Sequence, residues 1–172
     1  MLEISIDAPH ESYQHALFDW TGKITSVKYH GIPVFGVEKR NAPTSSSFGQ
    51  GFYNEFGIEN AIGYDEIPVG AWFHKIGVGL LQKEEGAYDF SKAYKIKPAT
   101  FEIEQTEKKI TVKCISELVH GYAYVLTKEI ALSSDGFAIH YELTNTGDKT
   151  IKTEEYNHNF LAIDEAPMGK DY

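Results

Sequence analysis

The chain has 172 residues, enough for one sizeable core, so residues 1–172 are expected to form a single domain. Its net charge of −9 speaks against nucleic acid, which calls for clustered Lys and Arg, and against an anionic membrane surface. The aromatic share of 13%, with 11 Tyr and 10 Phe, suits pleated, half-buried surfaces.

MLEISIDAPH at the start has no basic region followed by an apolar run, so no signal peptide is read there. No segment approaches the length of a membrane span, and a cytoplasmic location follows as the default. ESYQHALFDW, residues 11–20, is the one stretch that reads as a helix. KITSVKYHGIPVFGVE, residues 23–38, reads as two strands around a turn at His30-Gly31. NAPTSSSFGQGFYNEFG, residues 41–57, reads as a loop because it is rich in Ser, Gly and Asn. GYDEIPVGAWFHK, residues 63–75, reads as a second long loop, and IGVGLLQK, residues 76–83, as a short strand. Long loops on a sheet usually carry function.

From residue 100 the period-two alternation is regular. TFEIEQ, ITVKCIS, GYAYVLTKEIAL, FAIHYELTN and TIKTEEYNHNFLAID read as successive antiparallel strands. SSDG at 133–136 and NTGDK at 145–149 supply turns between them. The single cysteine, Cys114, excludes an internal disulfide and shares a strand face with Ile110 and Val112, so it reads as a buried structural thiol.

The last of these strands breaks its apolar pattern. Glu154, Tyr156, His158 and Phe160 share one face, and Glu155, Asn157, Asn159 and Leu161 the other. A buried polar group left unpaired costs about 1–3 kcal/mol, so this density reads as the floor of a polar cleft. The competing reading is a solvated edge strand. A metal set of Glu154, His158 and His74 lacks a compact ligand motif, and no metal or other cofactor is expected.

Thr153, Asn157, His158 and Phe160 resemble the active-site strand of the aldose 1-epimerase (galactose mutarotase) superfamily, in which a Thr is followed by Asn-His and an aromatic. The hairpin that ends in LTNTG, and the stretches SSFGQGFYNEFGIENAIGYDE and WFHKIGVGLLQKE, are similar to the segments that line the sugar cleft in that superfamily. The resemblance implies an all-β, antiparallel, galactose-mutarotase-like β-supersandwich, incomplete in this chain. It implies interconversion of sugar anomers, with His158 as general acid and His74 as a second sugar-contacting histidine. Asn157, Asn54, Glu55, Asp65 and Gln50 are the further candidate cleft residues. Lys75 and Ile76 stand where a Gly usually follows the family histidine, and Gln50 where an Arg is common.

The family's glutamate base lies on strands after the Asn-His segment, so it is expected beyond this chain, and the chain alone is expected to lack mutarotase activity. The expected partner is a small-molecule sugar. An uncovered sheet edge points to a homo-oligomer or to a missing carboxy-terminal half. The alternative readings are a non-catalytic carbohydrate-binding protein and an inactive fragment.

Overall fold

In the computed structural model, residues 1–37, 49–164 and 166–167 are described. The strands, in chain order, are β1 (Leu2–Asp7), β2 (Lys23–Tyr29), β3 (Ile32–Pro33), β4 (Phe52–Phe56), β5 (Trp72–Lys75), β6 (Gly79–Gln82) and β7 (Ile96–Pro98). They continue as β8 (Thr100–Gln105), β9 (Lys109–Ile115), β10 (Tyr124–Leu132), β11 (Phe137–Asn145), β12 (Glu155–Asn159), β13 (Ala162–Ile163) and β14 (Ala166–Pro167). The protein is all-β, and its paired strands run antiparallel. No helix of the described residues is long and apolar enough to cross a membrane.

One sheet runs β1-β2-β4-β12 with β3 hydrogen-bonded to β2, and a second runs β11-β10-β9-β8. The two sheets pack face to face. Ile24, Val27 and Phe52 of the first meet Ile130 and Phe137 of the second, and Phe56 meets Leu126 and Tyr141. A three-stranded sheet, β5-β6-β7, supplies Phe73 and Leu81 to a further core with Tyr13, Phe18 and Trp20.

The four strands read from residue 100 to 145 form as expected, with β10 and β11 in register from Tyr124 opposite Asn145 to Leu132 opposite Phe137. The SSDG turn closes through Ser133 N–H donating to Gly136 O at 2.9 Å. His30 and Gly31 both take positive φ, 51° and 82°, as a two-residue hairpin turn demands. Cys114 is fully buried, and burial pushes its thiol pKa up to about 12.

Four expectations about elements need correction. Residues 11–20 form no helix: Asp19 N–H donates to Asn54 O of β4 at 2.8 Å and Trp20 N–H to Gly77 O in the β5–β6 turn at 2.9 Å, so these backbone bonds go outward to other segments. Tyr13, Ala16, Phe18, Asp19 and Trp20 are all buried, so the stretch packs into the core as irregular chain. The 41–57 stretch ends in the strand β4; residues 41–48 lie outside the described ones. The 63–75 stretch holds a single 3-10 turn (Tyr64–Glu66) and ends in β5. In both, aromatic side chains outweigh the polar residues between them. The final strand is shorter than read: β12 covers only Glu155–Asn159, and residues 150–154 are irregular.

Candidate functional site

β4 and β12 pair antiparallel, with Tyr156 opposite Glu55, Asn157 opposite Asn54 and His158 opposite Tyr53. Opposed residues project to the same side of a sheet. Tyr53, Glu55, Tyr156 and His158 therefore share one face, and Asn54, Glu155 and Asn157 the other.

On the first face, His158 Nε2 donates to Glu55 Oε2 at 2.9 Å. Glu55 is 2% exposed, whereas the His158 side chain keeps 24%. The imidazole is fixed by rings. Phe18 and Tyr156 meet it edge-on at 4.9 and 4.7 Å between centroids, and Phe160 stacks at 5.9 Å. A carboxylate on one ring nitrogen sets the tautomer and leaves the other nitrogen to accept or give a proton. The second carboxylate oxygen, Glu55 Oε1, is buried without a hydrogen-bond partner.

Lys75, at the end of β5, is 2% exposed, and its Nζ likewise has no hydrogen-bond partner. Burial lowers its pKa to about 8, against the opposing pull of the Glu55 and Glu154 carboxylates. Sequence reading treated Lys75 only as a departure from a family pattern. Its signal was a lysine inside the run WFHKI, where solvent-facing positions are scarce.

On the other face, Asn54 Nδ2 donates to Glu155 Oε1 at 2.5 Å and to Asn157 Oδ1. Asn54 Oδ1 accepts from Lys128 Nζ at 3.3 Å and from the Tyr141 hydroxyl. That hydroxyl also reaches Asp19 Oδ2 at 3.3 Å, and Asp19 Oδ1 accepts from Thr21 N–H at 2.6 Å. Burial raises the Asp19 pKa to about 6 despite the opposing Lys128 charge. Burial lowers Lys128 to about 8 despite Asp19. This network floors an open cleft of about 350 Å³ lined by Leu126, Ile139, Tyr141, Leu143, Glu155 and Asn157.

The candidates thus divide. Glu55 and His158 are joined directly, and Asn54 and Asn157 are joined on the reverse face of the same two strands. His74 lies apart from both groups. It is 2% exposed, its ring is 5.8 Å from that of Tyr124, and neither nitrogen has a hydrogen-bond partner. Burial holds its pKa below the usual histidine value, offset in part by the nearby backbone of Val119 and Tyr122. Alternation along β5 puts His74 and Lys75 on opposite faces, and it is Lys75 that feels the Glu55 charge. Asp65 is exposed in the 3-10 turn, and Gln50 bridges Val37 through its backbone. Glu154 is tied up by backbone: its Oε1 accepts from Glu59 N–H at 2.5 Å and Asn60 N–H at 3.3 Å. Among the described residues, no three His, Cys, Asp or Glu side chains cluster as metal ligands would.

The fold and site together define an antiparallel β protein with a buried carboxylate-histidine pair on adjacent strands. No family model, curated protein or solved structure matches the chain.

Proposed function

We propose that the chain is an aldose 1-epimerase-like protein acting at the anomeric carbon of a hexose, with His158 as the proton-transfer group and Glu55 as the carboxylate that orients it. The observation that carries this reading is the 2.9 Å bond between buried Glu55 and partly exposed His158, inside the segment that resembles the mutarotase active-site strand.

The chemistry needs two proton transfers. The anomeric hydroxyl loses its proton, the bond from the anomeric carbon to the ring oxygen breaks, and the ring oxygen gains a proton. The free aldehyde then rotates and closes by the reverse steps. His158 gives the proton to the ring oxygen and takes it back on closure. Histidine is the side chain most often used for this kind of proton transfer. Glu55 holds the ring and balances the imidazolium charge. The base is the glutamate that the resemblance assigns to later strands.

A second reading, a carbohydrate-binding protein without catalysis, is favoured by the state of the nearby carboxylates. Glu55 is engaged by His158, Glu154 by the Glu59 and Asn60 backbone, and Glu155 by Asn54. Polarimetry on fresh α-D-glucose and α-D-galactose, run beside equilibrium binding, separates the two. Catalysed mutarotation lost in His158→Gln supports the enzyme. Saturable binding at the spontaneous rate supports the binding protein. Absence of binding to any aldose overturns both.

A further inference from the structure

β11 ends its sheet: among the described residues it pairs with β10 alone. Ser116 N–H donates to Tyr124 O, and Leu132 N–H donates to Lys108 O, so the even-numbered residues of β10 turn their backbone away from β11. Its odd-numbered residues face β11, and the register then ties His140 to Glu129 and Glu142 to Thr127. The alternate residues Ile139, Tyr141 and Leu143 turn their N–H and C=O groups to the open edge. β1, β8 and β12 end the other edges of the two packed sheets, and each is poorly suited to pairing. β1 is bulged between Ser5 and Ile6, β8 sets Glu102 and Glu104 on one face, and β12 has only five residues. β11 runs nine residues with no register shift against β10.

We propose that two copies of the chain join β11 to β11, antiparallel, about a two-fold axis through Tyr141, an interface that does not depend on the sugar reading above. Opposed residues in a sheet share a face, so the axis of such a pairing passes through a residue and not between two. With the axis at Tyr141, all nine residues of the strand find an opposite. Ile139 meets Leu143 of the second copy, and His140 meets Glu142 of the second copy. Symmetry makes each contact twice. The imidazole donates to the carboxylate, and the two stand in a non-hydrogen-bonded pair, where side chains come closest. On the opposite face Ile139 and Leu143, each 36% exposed, cover one another beside Tyr141. Neighbouring registers lose this match. An axis at Glu142 sets two carboxylates against each other, and an axis at His140 sets Glu142 against Ala138. Charge and apolar pattern therefore specify one partner, a second copy, in one register.

The test is light scattering of the full chain together with disulfide cross-linking under mild oxidation. His140→Cys and Glu142→Cys are made separately, both at exposed positions. The native Cys114 is fully buried and stays out of the reaction. In the proposed register the Cα of residue 140 lies about 4.5 Å from that of residue 142 in the second copy, within disulfide range. It lies about 8 Å from its own equivalent, beyond that range. The expected result is a wild-type mass twice that of one chain, and a disulfide dimer from the mixture of the two variants but from neither alone. If either variant fails to fold, Ala138→Cys mixed with Thr144→Cys, the next opposed pair on the same face, gives the same reading. A wild-type monomer at every concentration reached overturns the inference. So does an assembly in which the mixed variants form no cross-link, or in which each variant cross-links as well alone as mixed.

Discussion

Glu55 and His158 stand 103 positions apart in the chain and meet across two neighbouring strands through a single 2.9 Å hydrogen bond. β4 and β12 are hydrogen-bonded along their length, so the pair is held by a sheet and not by a loop. Its geometry is therefore set before any ligand arrives, as the proposed proton transfer to a sugar would require.

Replacing His158 by Gln keeps shape and polarity and removes the transferable proton. In a protein that also supplies the glutamate base, turnover is expected to fall roughly 10²–10⁴-fold, the usual range for a general acid. Glu55→Gln should lower turnover as well while leaving the fold intact. Initial rates by polarimetry, with circular dichroism as the folding control, check both; unchanged rates in His158→Gln would remove it from the mechanism.

Stability should depend on pH in a way that buried groups dictate. Lys75 and Lys128 have folded pKa values lowered to about 8, below the ordinary lysine value of 10.5. The unfolded chain therefore binds more protons between those values, so stability rises with pH from about 8 towards 10.5. Above that range the unfolded chain's tyrosines ionise first, because burial holds Tyr124 and Tyr141 well above the usual value, and stability falls again. Asp19, raised to about 6, acts at the other end: its contribution is complete below pH 3.8 and is lost as pH rises through 6. Urea midpoints measured from pH 4 to 11 check the signs. In Lys75→Met the rise between pH 8 and 10 should become shallower.

Asn54 ties Glu155, Asn157, Lys128 and Tyr141 together between the sheets. Asn54→Ala strands several of these groups at once and should cost about 2–4 kcal/mol, above the 1–3 expected for one unpaired group. Tyr141→Phe removes only one hydroxyl and should cost about 1 kcal/mol. Chemical denaturation of the two variants gives both values.

Gly77 has φ 76°, donates its N–H to the Tyr124 hydroxyl at 3.2 Å, and presses its backbone against the Asp19 carboxylate. Gly77→Ala meets both a backbone penalty and a collision, with an expected loss on the order of 2–4 kcal/mol. A thermal midpoint equal to that of the wild type would contradict the close approach.

β11 and β12 are both terminal strands of their sheets, and the cleft between them exposes Ile139 and Leu143 at 36% each. Leu126 and Tyr122 are buried. Open edges beside apolar side chains invite pairing with another chain. Light scattering should return a dimer or larger assembly, and Leu143→Lys should lower its mass.

The sheet from residue 100 to 145 was legible because its strands alternate without interruption and are closed by turns such as SSDG. β1 was missed although LEISID alternates, and β4 was taken for a loop because Asn54 and Glu55 sit between aromatics in a Gly-rich stretch. The polar stretch at 153–164 drew attention to His158, but its strand is the terminal one of its sheet with Glu155, Tyr156, Asn157 and Asn159 exposed, as the competing reading of a solvated edge has it. The partner of His158 could be named as a candidate but not paired, since nothing in the sequence sets the β4–β12 register. Lys75 was passed over although the run WFHKI leaves few solvent-facing positions, because one lysine in a short strand is ordinarily solvated; its burial shows only in the fold.

The measurement closest to the central claim is titration of the His158 ring signals with D-galactose or D-glucose. A saturable shift in the wild type, much weakened in Glu55→Gln, is the predicted result. His158 signals unmoved by either sugar up to molar concentration would contradict the assignment of this carboxylate-histidine pair to an aldose.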